Sequence, residues 1–411
     1  MKHTQRATLG GKLSAVLVAA GSSVGLGNIW RFPYVAGDNG GGAFLAIYIL
    51  CVLILGLPLM IAEFSVGRAS HRNAVGAYRM LAPKWSFLGY NGVLAAFLIL
   101  GFYFVVAGWT AEYMVHSVTG ELARYSTAEE YTAMFERFIG NPWRPLLYTA
   151  LFIAATHFVI ALGVQKGIER SAKVLMPLLF FILIALAIHS LLMPNGTEGL
   201  RFFLKPDFSK ITAVTVLTAL GQAFFSLSIG IGTMVTYASY FKPETNLRHT
   251  ALNVTILDTL VALLAGIAIF PAVFSVGIEP SSGPSLVFIT LPGIFNGMPL
   301  SMVWSSVFFL LLVVAALTST ISLHEVLTPA RGMASEPQGC GMDDDLRDAG
   351  TGGCSVAIAG HTRRLENLRA EHFRFAGLSD GQHSASGGRI LHLHIHRLAA
   401  RPQNTGGTDH Q

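Results

Sequence analysis

Two acids stand inside long apolar runs: Glu63 in LMIAEFSVG and Asp258 in ILDTLVALLAG. A charge at the centre of a hydrocarbon layer costs about 2.5–3.5 kcal/mol on translocon scales, so such acids are kept for ion or ligand chemistry. Two further runs are interrupted by small polar residues, GSSVGLGN from Gly21 to Asn28 and SLSIGIG from Ser226 to Gly232. Glycine and serine are poor helix residues, and unwound backbone in lipid leaves polar groups exposed. A break between two half-helices has a use, however. One half ends in bare carbonyls, which suit a hard cation, and the other begins with free N–H groups, which suit a carboxylate. Asn28 adds a side-chain oxygen, and Ser226, Thr318, Ser319 and Thr320 add hydroxyls. Cation ligand is the role these surroundings predict for Asp258. Glu63 lies nearer the end of its run, where simple solvation is the alternative.

The elements that carry these residues are set by composition. The 411 residues are 52% hydrophobic and 12% charged, whereas a soluble domain carries about 25% charge. Runs of the length a helix needs to cross a bilayer recur. The chain reads as an all-α polytopic membrane protein with eight spans, at 13–36, 42–66, 88–115, 147–164, 170–193, 214–240, 251–277 and 299–326. With the N-terminus inside, twelve basic residues fall in inner segments and six in outer loops, which predicts a cytoplasmic N-terminus. The outer stretch 278–298, with GPSLVFITLPGIF, is expected to form a short re-entrant or surface hairpin. The broken spans are the first and the sixth. Small residues also serve close helix packing, and that is the alternative for either break alone. Two breaks in corresponding spans of two halves point to a transporter's substrate site.

Other classes are poorly supported. The net charge of +5 comes from basic residues in short loops and not from a dense basic patch, so no nucleic-acid partner is expected. Cys51, Cys340 and Cys354 have no metal-ligand spacing, and no disulfide framework or zinc site is expected. The early run LSAVLVAAGSS continues past its small residues, which argues against a cleaved secretory signal. GLGN lacks the strand and βαβ context of a dinucleotide loop, and no Gly-Lys-Ser/Thr phosphate loop is present. Without a Ser-His-Asp or Cys-His grouping, an enzyme is not expected. From about Pro329 onward there is no span, no Lys, no Tyr and no Trp, and half of the chain's 14 histidines occur there. That bias predicts a disordered or out-of-frame tail over 329–411, in which HLHIH (His392 to His396) is not expected to bind metal.

GSSVGLGNIWRFPYVAGDNGGGAF, GLPLMIAEFSVGR, QKGIERSAKVLMP, GQAFFSLSIGIGTMVTYASY and ALTSTIS closely resemble, in order, the signatures of the neurotransmitter:sodium symporters, in their bacterial amino-acid-transporting branch. The resemblance covers residues from about 10 to 328. It implies an inverted-repeat transporter fold of five plus five helices, with substrate and Na⁺ held at unwound stretches of helices 1 and 6. By position, it implies one sodium site at the Ser23 carbonyl, Asn28, Ser226, Asp258 and the substrate carboxylate. The second would use the carbonyls of Gly21, Val24 and Ala315 with the hydroxyls of Thr318 and Ser319. The substrate carboxylate would meet the amides of Leu26 and Gly27 and the hydroxyl of Tyr103. Phe225, Ser228, Ile231, Ile99 and Leu323 would line the side-chain pocket. Arg31 matches an outer-gate arginine, and Glu63 would brace the unwound part of helix 6. Monoamine-carrying members have an aspartate at the position of Gly25, so Gly25 implies a substrate with its own carboxylate. The apolar, partly aromatic pocket implies a hydrophobic or aromatic amino acid. In chloride-dependent relatives an anion sits near the positions of Tyr48, Gln222, Ser226 and Ala262. Asp258 brings its own negative charge there, so chloride is not expected to be required.

Family members have eleven or twelve spans, against eight expected before residue 329. The expectation is therefore a transporter domain over 1–328 with an incomplete second repeat, lacking the acidic partner of Arg31, and a non-family tail over 329–411. The function expected is import of a hydrophobic or aromatic amino acid with about two Na⁺ ions, across the inner (plasma) membrane. A truncated, inactive membrane fragment of such a transporter is the alternative. Amino acid and lipid are the expected partners; the sequence does not specify an oligomer.

Overall fold

A computed structural model describes residues 9–275 and 286–332. The expectations for Lys2 and Arg6, for 278–285 and for 333–411 of the tail lie outside the described residues; the tail's first residues, 329–332, continue the last helix instead of starting a non-helical segment. All eight apolar runs are helical. The first comprises α1 (Lys12–Ser23), a π-helical turn (Gly27–Arg31) and α2 (Phe32–Asp38). Its two halves meet at 49°. The second runs from α3 (Gly42–Cys51) through a π turn (Val52–Gly56) into α4 (Leu57–Ser70). Pro58 lacks an N–H and its ring crowds the preceding turn, and the wider π turn accommodates it. A short α5 (Ala74–Leu81), capped by the Asn73 side chain on the Gly76 amide at 2.9 Å, leads to the third span, α6 (Ser86–Val118).

The connection after α6 carries α7 (Ala128–Gly140), started by a capping box between Thr127 and Glu130. Spans four and five are α8 (Arg144–Ala161) and α9 (Arg170–Leu191), followed by a short α10 (Gly196–Leu204). The sixth run is two short helices, α11 (Ala213–Ser226) and α12 (Thr233–Ala238), separated by Leu227 to Gly232. The seventh is α13 (Leu247–Ser275). After a π turn (Leu286–Thr290) and a short α14 (Leu291–Asn296), α15 (Ser301–Gly332) forms the eighth. The described part of the expected hairpin is thus helical. Among the described residues six helices are long and apolar enough to cross a membrane unbroken, and seven with the bent first pair.

The breaks are narrower than the sequence suggests. Gly21, Ser22 and Ser23 remain inside α1, and only Val24 and Gly25 leave the helix. Gly21 is a packing residue: a Cβ there would sit 3.7 Å from the Met176 side chain of α9. In the sixth run the chain turns through left-handed backbone at Ser228 (φ 52°), Gly230 (φ 83°) and Gly232 (φ 76°).

Polar backbone so deep in lipid persists only when protein surrounds it. Of the most apolar 18-residue stretch of α15, 72% is buried, against 28% for α8. α15 is therefore a central post and α8 faces lipid. α6 packs along α15, while α4 lies against α12 so closely that a Cβ at Gly67 would be 2.1 Å from the Val235 carbonyl. The two breaks are enclosed between these helices.

Candidate functional site

The first break closes on itself and then on the second. The Gly25 carbonyl accepts from the amides of Asn28 (3.1 Å) and Ile29 (3.3 Å), and the Gly25 amide donates to Asn28 Oδ1 at 3.2 Å. The Ser228 hydroxyl donates to the Ser22 carbonyl at 3.1 Å, and the Ser23 hydroxyl lies 3.5 Å from the Leu227 carbonyl. The end of α1 and the unwound part of the sixth run are therefore tied directly to each other.

Around Asn28, two of the residues predicted for one cation, Ser226 and Asp258, come together. Asn28 Nδ2 donates to Ser226 Oγ at 2.9 Å, to Asp258 Oδ1 at 2.9 Å and to the Asp258 carbonyl at 3.1 Å. Ser226 Oγ donates to Asp258 Oδ2 at 2.7 Å. The Tyr48 hydroxyl lies 3.2 Å from Ser226 Oγ and 3.3 Å from Asp258 Oδ2. Asn28, Tyr48 and Asp258 are fully buried. Asn28 turns its Nδ2 to this group, and the side-chain oxygen predicted as a ligand accepts instead from the Gly25 amide. The oxygens that face one another are the Asp258 carboxylate and the Ser226 and Tyr48 hydroxyls, a set of one net negative charge that suits a hard monovalent cation. Among the described residues no three His, Cys, Asp or Glu side chains are grouped to hold a metal ion, so the site does not fit zinc or a similar metal.

A second convergence lies between α1 and α15. Thr318 Oγ1 donates to the Ala315 carbonyl at 2.9 Å and to the Val24 carbonyl at 3.2 Å. Val24 and Ala315 are two of the predicted carbonyls, drawn together by the predicted hydroxyl. Ser319 stands one residue on, with Oγ only 1.8 Å from where a Gly25 Cβ would lie. The Cα of Gly21, another predicted contributor, packs against Met176 and Ala172 of α9.

Beside these oxygens, α6 and the end of α11 bring two aromatic side chains, Tyr103 and Phe225, against the first break. A Cβ at Gly27 would be 3.0 Å from the Phe225 ring and 3.9 Å from the Tyr103 hydroxyl, and the two rings stand 6.3 Å apart. The Tyr103 hydroxyl interacts with Ser319 and with the Gly27 backbone. Leu26 and Gly27 open the outer half-helix, where amides lack intrahelical partners. Leu323 is buried and Ile99 and Ile231 are half-buried in the same core. The outer-gate candidate Arg31 lies over the Phe225 ring at 5.0 Å and donates to Gln222 Oε1, while Gln222 Nε2 donates to the Gly27 carbonyl at 3.0 Å. On the opposite side, Glu63 Oε1 accepts from the Gly230 amide at 2.7 Å.

A family profile described as the sodium:neurotransmitter symporter family matches residues 6–137 and 134–333. The chain belongs to that family. It is a multi-pass membrane transporter and not an enzyme. The sodium-dependent transporter YhdH of Bacillus subtilis (strain 168), itself uncharacterised, is 44% identical over 327 residues, spanning 79% of this chain and 72% of that protein. An uncharacterised sodium-dependent transporter of Haemophilus influenzae is 40% identical over 339 residues, spanning 80% of this chain and 74% of the relative. The crystal structure of MhsT in complex with L-phenylalanine superposes with a TM-score of 0.76 at 44% identity, covering 89% of this chain and 80% of that one.

The symporter fold also contains acids that the sequence reading passed over. Glu112, Glu169 and Glu325 are buried as Asp258 is, and each has a side-chain partner. Glu112 pairs with His116 and Arg144, Glu169 with Lys173 and the Ser14 hydroxyl, and Glu325 accepts from the Tyr240 hydroxyl at 2.5 Å. Spacing gave a signal for two of these pairs, Glu112–His116 and Glu169–Lys173, each at i,i+4 on one helix face. Tyr48 and Gln222 were considered only as neighbours of an anion; both bond directly to residues of the site.

Proposed function

We propose that this symporter carries a hydrophobic or aromatic amino acid together with two Na⁺ ions, by alternating access across the inner membrane, with its N-terminus in the cytoplasm. The observation that carries the substrate class is Gly25. There is no room there for a side chain of any kind, because Ser319 Oγ and the Ala315 carbonyl occupy the space at 1.8 and 3.2 Å from a Cβ. No protein carboxylate can enter from this position, so a carboxylate at the break has to come with the substrate. Phe225, Tyr103 and Leu323 favour an apolar side chain beyond it. MhsT, which binds L-phenylalanine in its crystal structure, makes phenylalanine the first substrate to test.

Asn28, Ser226, Asp258 and the Ser23 carbonyl would carry one Na⁺, and the carbonyls of Gly21, Val24 and Ala315 with Thr318 and Ser319 the other. Chloride is not part of this reading. The donors that could hold an anion, the Tyr48 and Ser226 hydroxyls, already face the Asp258 carboxylate. A charge crossing ~100 mV yields about 2.3 kcal/mol and a tenfold gradient adds about 1.4. Two Na⁺ thus supply roughly 7 kcal/mol, a driving force for about a 10⁵-fold amino-acid gradient. The test is uptake of labelled L-phenylalanine by proteoliposomes under an inward Na⁺ gradient. Na⁺-dependent accumulation is expected. Binding with no accumulation would reject symport by this chain, and an equal response in K⁺ would reject sodium coupling.

A further inference from the structure

At the end of α6 remote from α5, both ring nitrogens of His116 face carboxylates. Nε2 is 2.8 Å from Glu112 Oε1, and Nδ1 is 2.5 Å from Glu121 Oε2. Two such contacts need two protons, because ionised carboxylates only accept. A neutral imidazole brings one. The three side chains therefore hold one more proton than a neutral ring between two carboxylates.

The other groups around the ring fix what happens when that proton leaves. From α8, Arg144 pairs with Glu112 Oε1 at 2.7 Å and Tyr148 bonds to the same acid. Tyr113 stands edge-on to the ring at 6.4 Å, with Tyr125 and Tyr131 beyond it. α15 brings no charged residue to this end. Glu112 is wholly buried and doubly held, whereas the Glu121 side chain is 37% exposed. Loss of the proton sets a ring lone pair against a carboxylate, and Glu121 is the partner free to swing away into water.

Glu121 sits where the connection leaves the span. Just after it, the carbonyls of Leu122 and Tyr125 accept from the Tyr131 hydroxyl of α7 at 2.9 and 3.1 Å, and Tyr125 also accepts from Asn296 of α14 at 2.5 Å. Phe288, just before α14, stacks on Phe135 of α7 at 5.9 Å and meets Trp30, the neighbour of Arg31, at 6.4 Å. Contacts thus lead from the connection next to His116 to Trp30 in the π turn of the first span.

We propose that Glu112, His116 and Glu121 form a proton-binding site that holds the 119–125 connection in place while protonated and frees it when the proton leaves. The clasp is complete at acid pH and is lost as pH rises through the titration of the ring. That the sensed side is the external one rests on the orientation proposed above.

The test needs no transport. A nitroxide is placed on Ala123→Cys, an exposed position, in the reconstituted full chain with Cys51→Ala, Cys340→Ser and Cys354→Ser. The broad, immobilised spectral component is expected at acid pH and should be lost at alkaline pH. In Glu121→Gln the carboxamide can accept from a protonated ring or donate to a neutral one, so the immobilised component should persist across the range. A spectrum independent of pH in the parent, or an unchanged pH response in Glu121→Gln, would overturn the proposal. Changing pH on one side of the vesicle at a time separates the site from the orientation: a response only to cytoplasmic-side pH would reject the orientation and leave the proton site standing.

Discussion

Asn28 and Asp258, 230 residues apart, are joined through both the backbone and the side chain of the acid: Asn28 Nδ2 lies 3.1 Å from the Asp258 carbonyl and 2.9 Å from its Oδ1. This pair fastens the broken first span to α13. It also gathers, at one buried point, the carboxylate, carbonyl and hydroxyl oxygens that a hard cation requires.

Asp258→Ala should abolish Na⁺-dependent substrate binding. It removes the only formal charge of the group and leaves Asn28, Ser226 and Tyr48 without their shared acceptor, each loss costing about 1–3 kcal/mol when buried. Titrating phenylalanine binding against Na⁺ in detergent provides the check. A variant with unaltered Na⁺ affinity would remove Asp258 from the site.

Gly25→Ala should weaken amino-acid binding by about one to two orders of magnitude, since forcing a methyl into filled space costs about 1–3 kcal/mol. The added Cβ falls on Ser319 Oγ and within 3.2 Å of the Ala315 carbonyl. Only the first obstacle is a side chain, so Ser319→Gly in the same protein should restore part of the affinity. Equal binding by parent and Gly25→Ala would show that the space at this position does not decide the substrate.

Replacing chloride by gluconate should leave Na⁺-driven uptake unchanged. Asp258→Asn removes the resident negative charge beside Tyr48 and Ser226, and whatever uptake survives in that variant should acquire a chloride requirement. A collapse of the parent's rate in gluconate is the contrary result.

Gly67→Ala should lower the thermal midpoint of the purified protein by several degrees, on the order of 1–3 kcal/mol of overpacking. Its Cβ would lie 2.1 Å from the Val235 carbonyl and 2.9 Å from the Ala238 Cβ, pushing α4 off α12. Gly101→Ala is the control, as nothing lies within 4 Å of its Cβ, and it should not destabilise. Identical midpoints for Gly67→Ala and the parent would mean that this helix contact carries no stability.

Much of this was legible before any coordinates. Length and lack of charge located eight apolar runs, and the small polar residues within them identified the two that break. The runs could not give the width of a break. Gly21 stays helical with α9 packed against it, and that neighbour is some 150 residues away in sequence. Buried acids divided in the same way. Glu63 and Asp258 stood out against wholly apolar surroundings, whereas Glu112 and Glu169 had bases nearby and were passed over, although both are as deeply placed.

By itself, the sequence determined the membrane architecture and the chemistry on offer, because both depend on local properties: hydropathy per turn, charge per loop, and the oxygens that a break in a helix exposes. Tertiary structure alone decided which of those oxygens face one another. Ser226, Asp258 and Asn28 come from three different spans, and the Val24 and Ala315 carbonyls meet only because α15 runs as a buried post past the end of α1. It also decided that Gly25 has no space for a side chain, since the atom that fills the space, Ser319 Oγ, arrives from 294 residues further along the chain. Contacts between distant spans are fixed by how helices pack, and packing depends on the shapes of both partners at once.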